Sequence, residues 1–165
     1  ILKLSSVLRY MLYECKEEFV PLVKEVEQLE NFTKLSQLQI EERGVVNFRS
    51  EINQSDYQIA PLILIVFIEN AFKHSQASQS ENILIEVAIQ LSEDDELEFS
   101  CKNNVQPVAN TDNQAQGIGL ENVRKRLQLL YPNAHQLAIE ETENQYEVSL
   151  SMQLSKRVRH EVYHY

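Results

Sequence analysis

Pro61-Leu-Ile-Leu-Ile-Val-Phe-Ile-Glu-Asn-Ala-Phe-Lys-His74 runs the most apolar part of the chain straight into a polar end. The apolar stretch, Ile59 to Ile68, is too short to cross a bilayer, which takes about 20 such residues. Leu62, Ile65, Ile68 and Phe72 recur at helical spacing, and proline suits a first helical turn. The segment therefore predicts a helix from about Pro61 to Ser75 with that stripe buried. Asn70, Lys73 and His74 stand at i, i+3 and i+4, so they point together at one place. An asparagine oxygen is a suitable hard ligand for Mg²⁺, whose other positions go to phosphate oxygens and water. A lysine one turn later neutralises phosphate charge, and a histidine there can donate a hydrogen bond. The plainer reading of the same residues is a polar helix face with a Glu69–Lys73 ion pair.

Downstream, the glycines point to a second feature. The chain has only three, and two lie in Gln116-Gly117-Ile118-Gly119-Leu120. Glycine serves where the backbone must come close to a ligand. A helix follows Gly119 and stops before Pro132, with Leu120, Val123, Leu127 and Leu130 inward. Free N–H groups at a helix start, aided by its dipole, make an anion site. Alone, a Gly-x-Gly before a helix is more often just a turn. The third glycine of a dinucleotide fingerprint and the Lys-Ser/Thr of a P-loop are both missing, so neither applies.

Around these two segments the chain alternates. Val46, Phe48, Ser50 and Ile52 form a strand stripe, as do Ile83, Ile85, Val87, Ile89 and Leu91. Ser92 to Asp95 makes an acidic turn, and Leu97, Phe99 and Cys101 continue on the next strand. Residues 103–116 are polar and aperiodic and read as a loop. Two strands, at about 136–141 and 145–154, close the order, with Tyr146, Val148, Leu150, Met152 and Leu154 alternating in the last. Before Gly44 the period is helical. Leu4, Val7, Leu8, Met11 and Leu12 suggest one helix, and Val23, Val26, Leu29, Phe32, Leu35 and Leu38, in a stripe widened by Leu22 and Ile40, a second from about Val20 to Glu42, with Gly44 as its C-terminal cap. The fold expected is α+β, a two-layer sandwich with a mostly antiparallel sheet and helices on one face. Three parts are expected: helices over 1–43, the sheet-bearing domain over 44–155, and a tail over 156–165.

Composition narrows the function. The 165 residues carry a formal net charge of -10, with 43% hydrophobic and 24% charged residues. Such a balance suits a soluble domain and argues against nucleic acid as partner, since backbone binding needs a concentrated basic patch. The one basic cluster, Lys156 to Arg159, is expected to be solvated. Ile1 to Tyr10 lacks the layout of a secretory signal. Cys15 and Cys101 have no metal-site spacing and read as buried or semi-buried thiols in a reducing compartment.

Taken together and in this order, the motifs resemble a known family. Pro61 to His74 looks like the N box of GHKL-type histidine-kinase ATPases. Gly117-Ile-Gly-Leu-Glu-Asn-Val-Arg-Lys-Arg-Leu-Gln-Leu-Leu-Tyr131-Pro132 looks like their second glycine box with its helix. Leu4-Ser-Ser-Val-Leu-Arg-Tyr-Met-Leu-Tyr13 resembles the segment after the phosphoacceptor histidine in LytS-type sensor kinases. The resemblance implies a Bergerat-type fold holding ATP between the N-box helix and a lid over Val105 to Gln116. It implies Asn70 on Mg²⁺, with Lys73 and His74 beside the phosphates. Gly117, Ile118, Gly119 and the N–H of Leu120 would cradle phosphate, and Arg124 would reach it, while Arg126 is as well suited to a structural ion pair. Adenine would meet Asn103, standing where most relatives carry the aspartate of Asp-x-Gly.

That substitution removes a charge but keeps a carbonyl acceptor. Val66 stands four residues before Asn70, where GHKL hydrolases place a water-activating glutamate, so phosphoryl transfer is favoured over hydrolysis of the gyrase or chaperone kind. The resemblance puts the acceptor histidine before Ile1. None of the four histidines here, His74, His135, His160 and His164, lies on the first helix, so this segment is not expected to autophosphorylate. The expected role is the ATP-binding catalytic end of a two-component sensor histidine kinase. Its γ-phosphoryl would pass to an upstream histidine and then to the receiver domain of a response regulator. The full-length protein would be a homodimer in the inner membrane, with this part in the cytoplasm. The rival reading is a non-catalytic signalling or dimerisation module that binds nucleotide weakly.

Overall fold

The computed structural model describes residues 16–52, 56–78, 81–106 and 118–157. The helix expected at 4–14, Cys15, most of the expected lid, Gly117, His160 and His164 lie outside them. The elements in chain order are β1 (Val20–Pro21), α1 (Leu22–Ile40), β2 (Gly44–Glu51), β3 (Tyr57–Ile59) and α2 (Leu64–Ser78). After them come β4 (Ile83–Leu91), β5 (Glu96–Asn104), α3 (Ile118–Leu130), β6 (His135–Glu141), β7 (Gln145–Gln153) and β8 (Ser155–Lys156).

Five strands form one sheet in the order β2-β4-β5-β7-β6. β2 runs parallel to β4, and the other three pairings are antiparallel. The period-2 stripes read from the sequence are its covered face: Ile83, Ile85, Val87 and Ile89 on β4, Leu97, Phe99 and Cys101 on β5, Val148, Leu150 and Met152 on β7 are buried. Their neighbours on the other face, such as Leu84, Glu86, Glu98 and Ser149, are exposed. Helices cover the apolar side: Phe67 of α2 packs its ring on Phe99 at 5.9 Å, and the Cys101 thiol donates to the Phe67 carbonyl at 3.7 Å. This is the two-layer α+β sandwich that the pattern predicts.

α1 buries most of its expected stripe but not all of it. Its buried face is Leu22, Glu25, Val26, Leu29, Thr33, Ser36 and Ile40, while Val23 and Leu38 are exposed. A strict three-residue repeat drifts around a 3.6-residue helix, so a stripe counted in threes leaves the core within a few turns. Nor is Gly44 the left-handed cap of this helix. Glu41 takes the positive φ, at 50°, a 3-10 turn follows, and Gly44 is extended as the first residue of β2. Glycine is needed there for space: a Cβ on Gly44 would sit 2.2 Å from the Ile83 carbonyl oxygen across the parallel pairing. The Gln37 side chain closes the free edge of β2, donating to Gly44 O at 3.1 Å and accepting from Val46 N at 2.8 Å.

α1 shares one continuous core with the sheet, since Val20, Leu22, Val26, Leu29 and Ile40 join the same cluster as Phe67, Ile85 and Leu150. α2 starts at Leu64, three residues later than proline suggests, because Leu62 has φ 63° and interrupts the helix before it begins. A small second sheet, β1-β3-β8, has strands too short for a periodic signal. Lys156, expected in a solvated tail, is in β8 with its ammonium 5.7 Å from the Tyr57 ring.

Candidate nucleotide-binding site

α2 sets up the site with one surface stripe. Val66, Asn70, Lys73 and His74 are spaced four, seven and eight residues along it, so they lie on a common face. At the Val66 end stands the start of α3: a Cβ built on Gly119 would be 3.5 Å from Val66 Cγ1. At the other end the His74 ring stacks on Tyr146 of β7, with centroids 5.3 Å apart and planes 29° from parallel. Asn70 lies half-buried between these two contacts, and Lys73 is exposed.

The sheet supplies the floor. Asn103 is not in a loop but is the penultimate residue of β5, paired with Tyr146 on one side and Ile85 on the other. It is 0% exposed, and although its Nδ2 donates to the Asn104 carbonyl at 3.2 Å, its Oδ1 is buried without a hydrogen-bond partner. Leaving a buried carbonyl unpaired costs roughly 1–3 kcal/mol, so such an atom marks where an incoming donor would be rewarded. Asn104 faces the other way and fastens the end of the sheet, accepting from Leu84 N at 2.8 Å and donating to Asn82 O at 2.7 Å.

Charge gathers around the stacked pair. Burial pushes the His74 pKa below its usual value, with the Glu141 carboxylate opposing and the Lys73 ammonium assisting, so the ring is neutral at physiological pH. Burial raises the Tyr146 hydroxyl, with Glu141 adding to the shift and Arg124 working against it. Arg124 and Glu141 therefore lie near this corner. Glu141 is registered opposite Tyr146 across β6 and β7.

Among the expected site residues, Asn70, Lys73, His74, Asn103, Gly119 and Arg124 are drawn toward one side of the sandwich. Leu120 is buried at 4% exposure, leaving only its backbone to face a ligand. Ile118 opens α3. Arg126 makes a different contact from the ion pair considered for it: Nη1 donates to the Pro61 carbonyl at 2.7 Å. Tyr146 and Glu141 were missed. Tyr146 heads the alternating stripe of β7, but only the register that sets it beside Asn103 gives it meaning. Among the described residues no group of three or more His, Cys, Asp or Glu side chains could hold a metal. A Mg²⁺ ion here would thus rest on Asn70 and on the phosphates it accompanies.

Comparison with known proteins bears on the kinship and the fold of the chain. Residues 1–44 match a family model described as Histidine kinase. The Sensor protein LytS of Staphylococcus haemolyticus is 24% identical over 154 residues, covering 87% of this chain and 26% of that protein. The LytS of Enterococcus faecalis is 25% identical over 154 residues, with the same two coverages. The chain thus spans about a quarter of the length of these curated relatives. Among solved structures, the nucleotide-free catalytic domain of the histidine kinase ThkA has a TM-score of 0.58 at 15% identity, covering 83% of this chain and 96% of that one. ThkA in complex with the response regulator protein TrrA gives 0.54 at 14%, over 92% of this chain and 47% of that one. Full-length ShkA in complex with AMPPNP gives 0.59 at 14%, over 94% and 35%. The chain is related in sequence to the LytS sensor kinases and has the fold of histidine-kinase catalytic domains.

Proposed function

We propose that the chain is the ATP-binding catalytic part of a two-component sensor histidine kinase, acting on a histidine carried by another segment of the full-length protein. The observation that carries this reading is the buried, unpaired Oδ1 of Asn103, on the residue paired with Tyr146 of the His74–Tyr146 stack. Adenine presents an amino group that suits a lone buried carbonyl, and a flat ring that suits a neutral aromatic corner. Asn70 is the residue for the Mg²⁺-bearing phosphate end, with Lys73 and Arg124 as mobile cations at its margin. Gly119 offers an open first turn of α3, where backbone N–H groups are free for phosphate. Mg²⁺, when bound, neutralises phosphate charge. The residues of this chain orient ATP and shield it from water, and positioning of that kind supplies most of the acceleration in phosphoryl transfer.

Val66 occupies the α2 position one turn before Asn70 and is apolar, so no side chain there can activate water. That favours transfer over hydrolysis. The reading extends to a response regulator as the next acceptor, as in the ThkA–TrrA complex, and to a homodimeric, membrane-anchored full-length protein with this part in the cytoplasm. Among the described residues no helix is long and apolar enough to cross a membrane. We take the nucleotide-binding unit to include α1, whose side chains share its core, as well as residues 44–155.

The test is thermal unfolding with a non-hydrolysable ATP analogue, with and without Mg²⁺. Binding to the folded state raises the melting temperature by mass action. The expected result is a Mg²⁺-dependent rise that Asn70→Ala abolishes. Absence of any rise at millimolar nucleotide would leave a scaffold module as the better description.

A further inference from the structure

Three side chains from outside α2 converge on the three residues that lead into it. The Ala60 N–H donates to the Tyr131 hydroxyl at 2.9 Å, Arg126 donates to the Pro61 carbonyl at 2.7 Å, and the Leu62 N–H donates to Glu25 Oε1 at 2.9 Å. Glu25 comes from α1 and is 1% exposed; Tyr131, just past α3, is 6% exposed. Arg126 and Glu25 both act electrostatically on the Tyr131 hydroxyl, so the three groups form one cluster. Between them Leu62 holds φ 63°, a left-handed conformation that a leucine keeps only where its surroundings impose it. A carboxylate buried on one helix to hold the backbone ahead of another is an unusual expense for a simple connection.

The cluster matters because of where α3 meets the α2 segment. Gly119 abuts Val66, and seven residues later, two turns along the same face, Arg126 grips Pro61. Two points of attachment fix both the spacing and the rotation of α2 against α3. Asn70 lies one turn beyond Val66, so displacement at Pro61 tilts α2 about the Val66–Gly119 contact and shifts Asn70 relative to the start of α3.

We propose that Glu25, Arg126 and Tyr131 are positioning residues of the nucleotide site: by holding residues 60–62 they set the separation between Asn70 and the first turn of α3. The proposal rests on the ATP-binding reading above. It predicts a defect greater at the phosphates than at the base, because the phosphate end spans α2 and α3 whereas the base end is anchored on the sheet by Asn103 and Tyr146, with only His74 coming from α2.

The experiment measures binding of a Mg²⁺-loaded ATP analogue and of adenosine by calorimetry, using the 165-residue chain and its Tyr131→Phe, Glu25→Leu and Glu25→Gln variants, each checked for its circular dichroism spectrum. Tyr131→Phe and Glu25→Leu are expected to weaken the analogue about tenfold and to change adenosine by less than about twofold, as expected for one lost hydrogen bond expressed at the phosphates alone. Glu25→Gln keeps an oxygen that can accept from Leu62 and should bind close to the parent chain. Equal weakening of both ligands, or unchanged analogue binding in Tyr131→Phe, would overturn the proposal. Should Glu25→Leu fail to fold, the near-isosteric Tyr131→Phe decides alone. If the parent chain binds neither ligand, the ATP-binding reading itself fails; if it binds both and the variants do not discriminate, only the positioning role falls.

Discussion

Asn103 separates stability from function at the scale of one residue. Its Oδ1 is buried without a protein partner, so Asn103→Leu removes that polar atom while giving up the Nδ2 hydrogen bond to the Asn104 carbonyl. The melting temperature without ligand is expected to hold or rise, while adenosine affinity falls about tenfold, a hydrogen bond's worth. His74 carries a pH signature. Burial lowers its folded pKa below the unfolded value of 6.5, so the unfolded chain takes up the proton first. Its contribution to stability is therefore fully present above 6.5 and is lost as the pH falls through the folded value. Melting curves taken downward from neutrality should show this loss, and His74→Phe, which keeps the stack on Tyr146, should flatten it. The convergence of Asn70, Lys73 and His74 was legible in the sequence because helical spacing is local. Tyr146, Glu141 and the Pro61 contact of Arg126 were not, since each depends on register or packing across distant segments.

For single elements, the two described glycines make opposite predictions. A Cβ on Gly44 would meet backbone and side chain of Ile83 at 2.2 and 2.5 Å, so Gly44→Ala must push β2 from β4. A loss of about 1–3 kcal/mol on chemical denaturation is expected, as for overpacked cores. On Gly119 the added carbon meets only Val66 at ordinary contact distance. Gly119→Ala should keep or raise stability, by up to about 1 kcal/mol from helix propensity, yet weaken Mg²⁺-loaded ATP analogue binding because the methyl group occupies ligand space. The strands β4, β5 and β7 were readable because one covered face forces strict alternation. A count in threes gives Val26 and Leu29 of the α1 face but also the exposed Val23 and Leu38, proline does not mark the α2 start because Leu62 is left-handed, and β1, β3 and β8 have too few residues to carry a period.

For the whole molecule, alternation plus helical stripes was enough to reach a two-layer α+β sandwich, but not the strand order, which no local pattern encodes. The division near Gly44 followed a change of period, whereas packing ignores that change: α1 contributes Leu22, Val26, Leu29 and Ile40 to the common core. A chain beginning at Gly44 is therefore expected to lose the cooperative thermal unfolding of the 165-residue chain. The parallel placement of β2 beside β4 has a bearing on time as well. β4 and β5 are joined by a tight turn, and β6 and β7 likewise, so those pairs can zip up from neighbouring residues. β2 must wait for β3 and α2 to be laid down before its partner exists, and closing so long a loop is entropically slow. During refolding, pulse-labelled amides of β2 should gain protection last, making the strand that Gly44's missing side chain lets in beside β4 the final piece of the sheet to arrive.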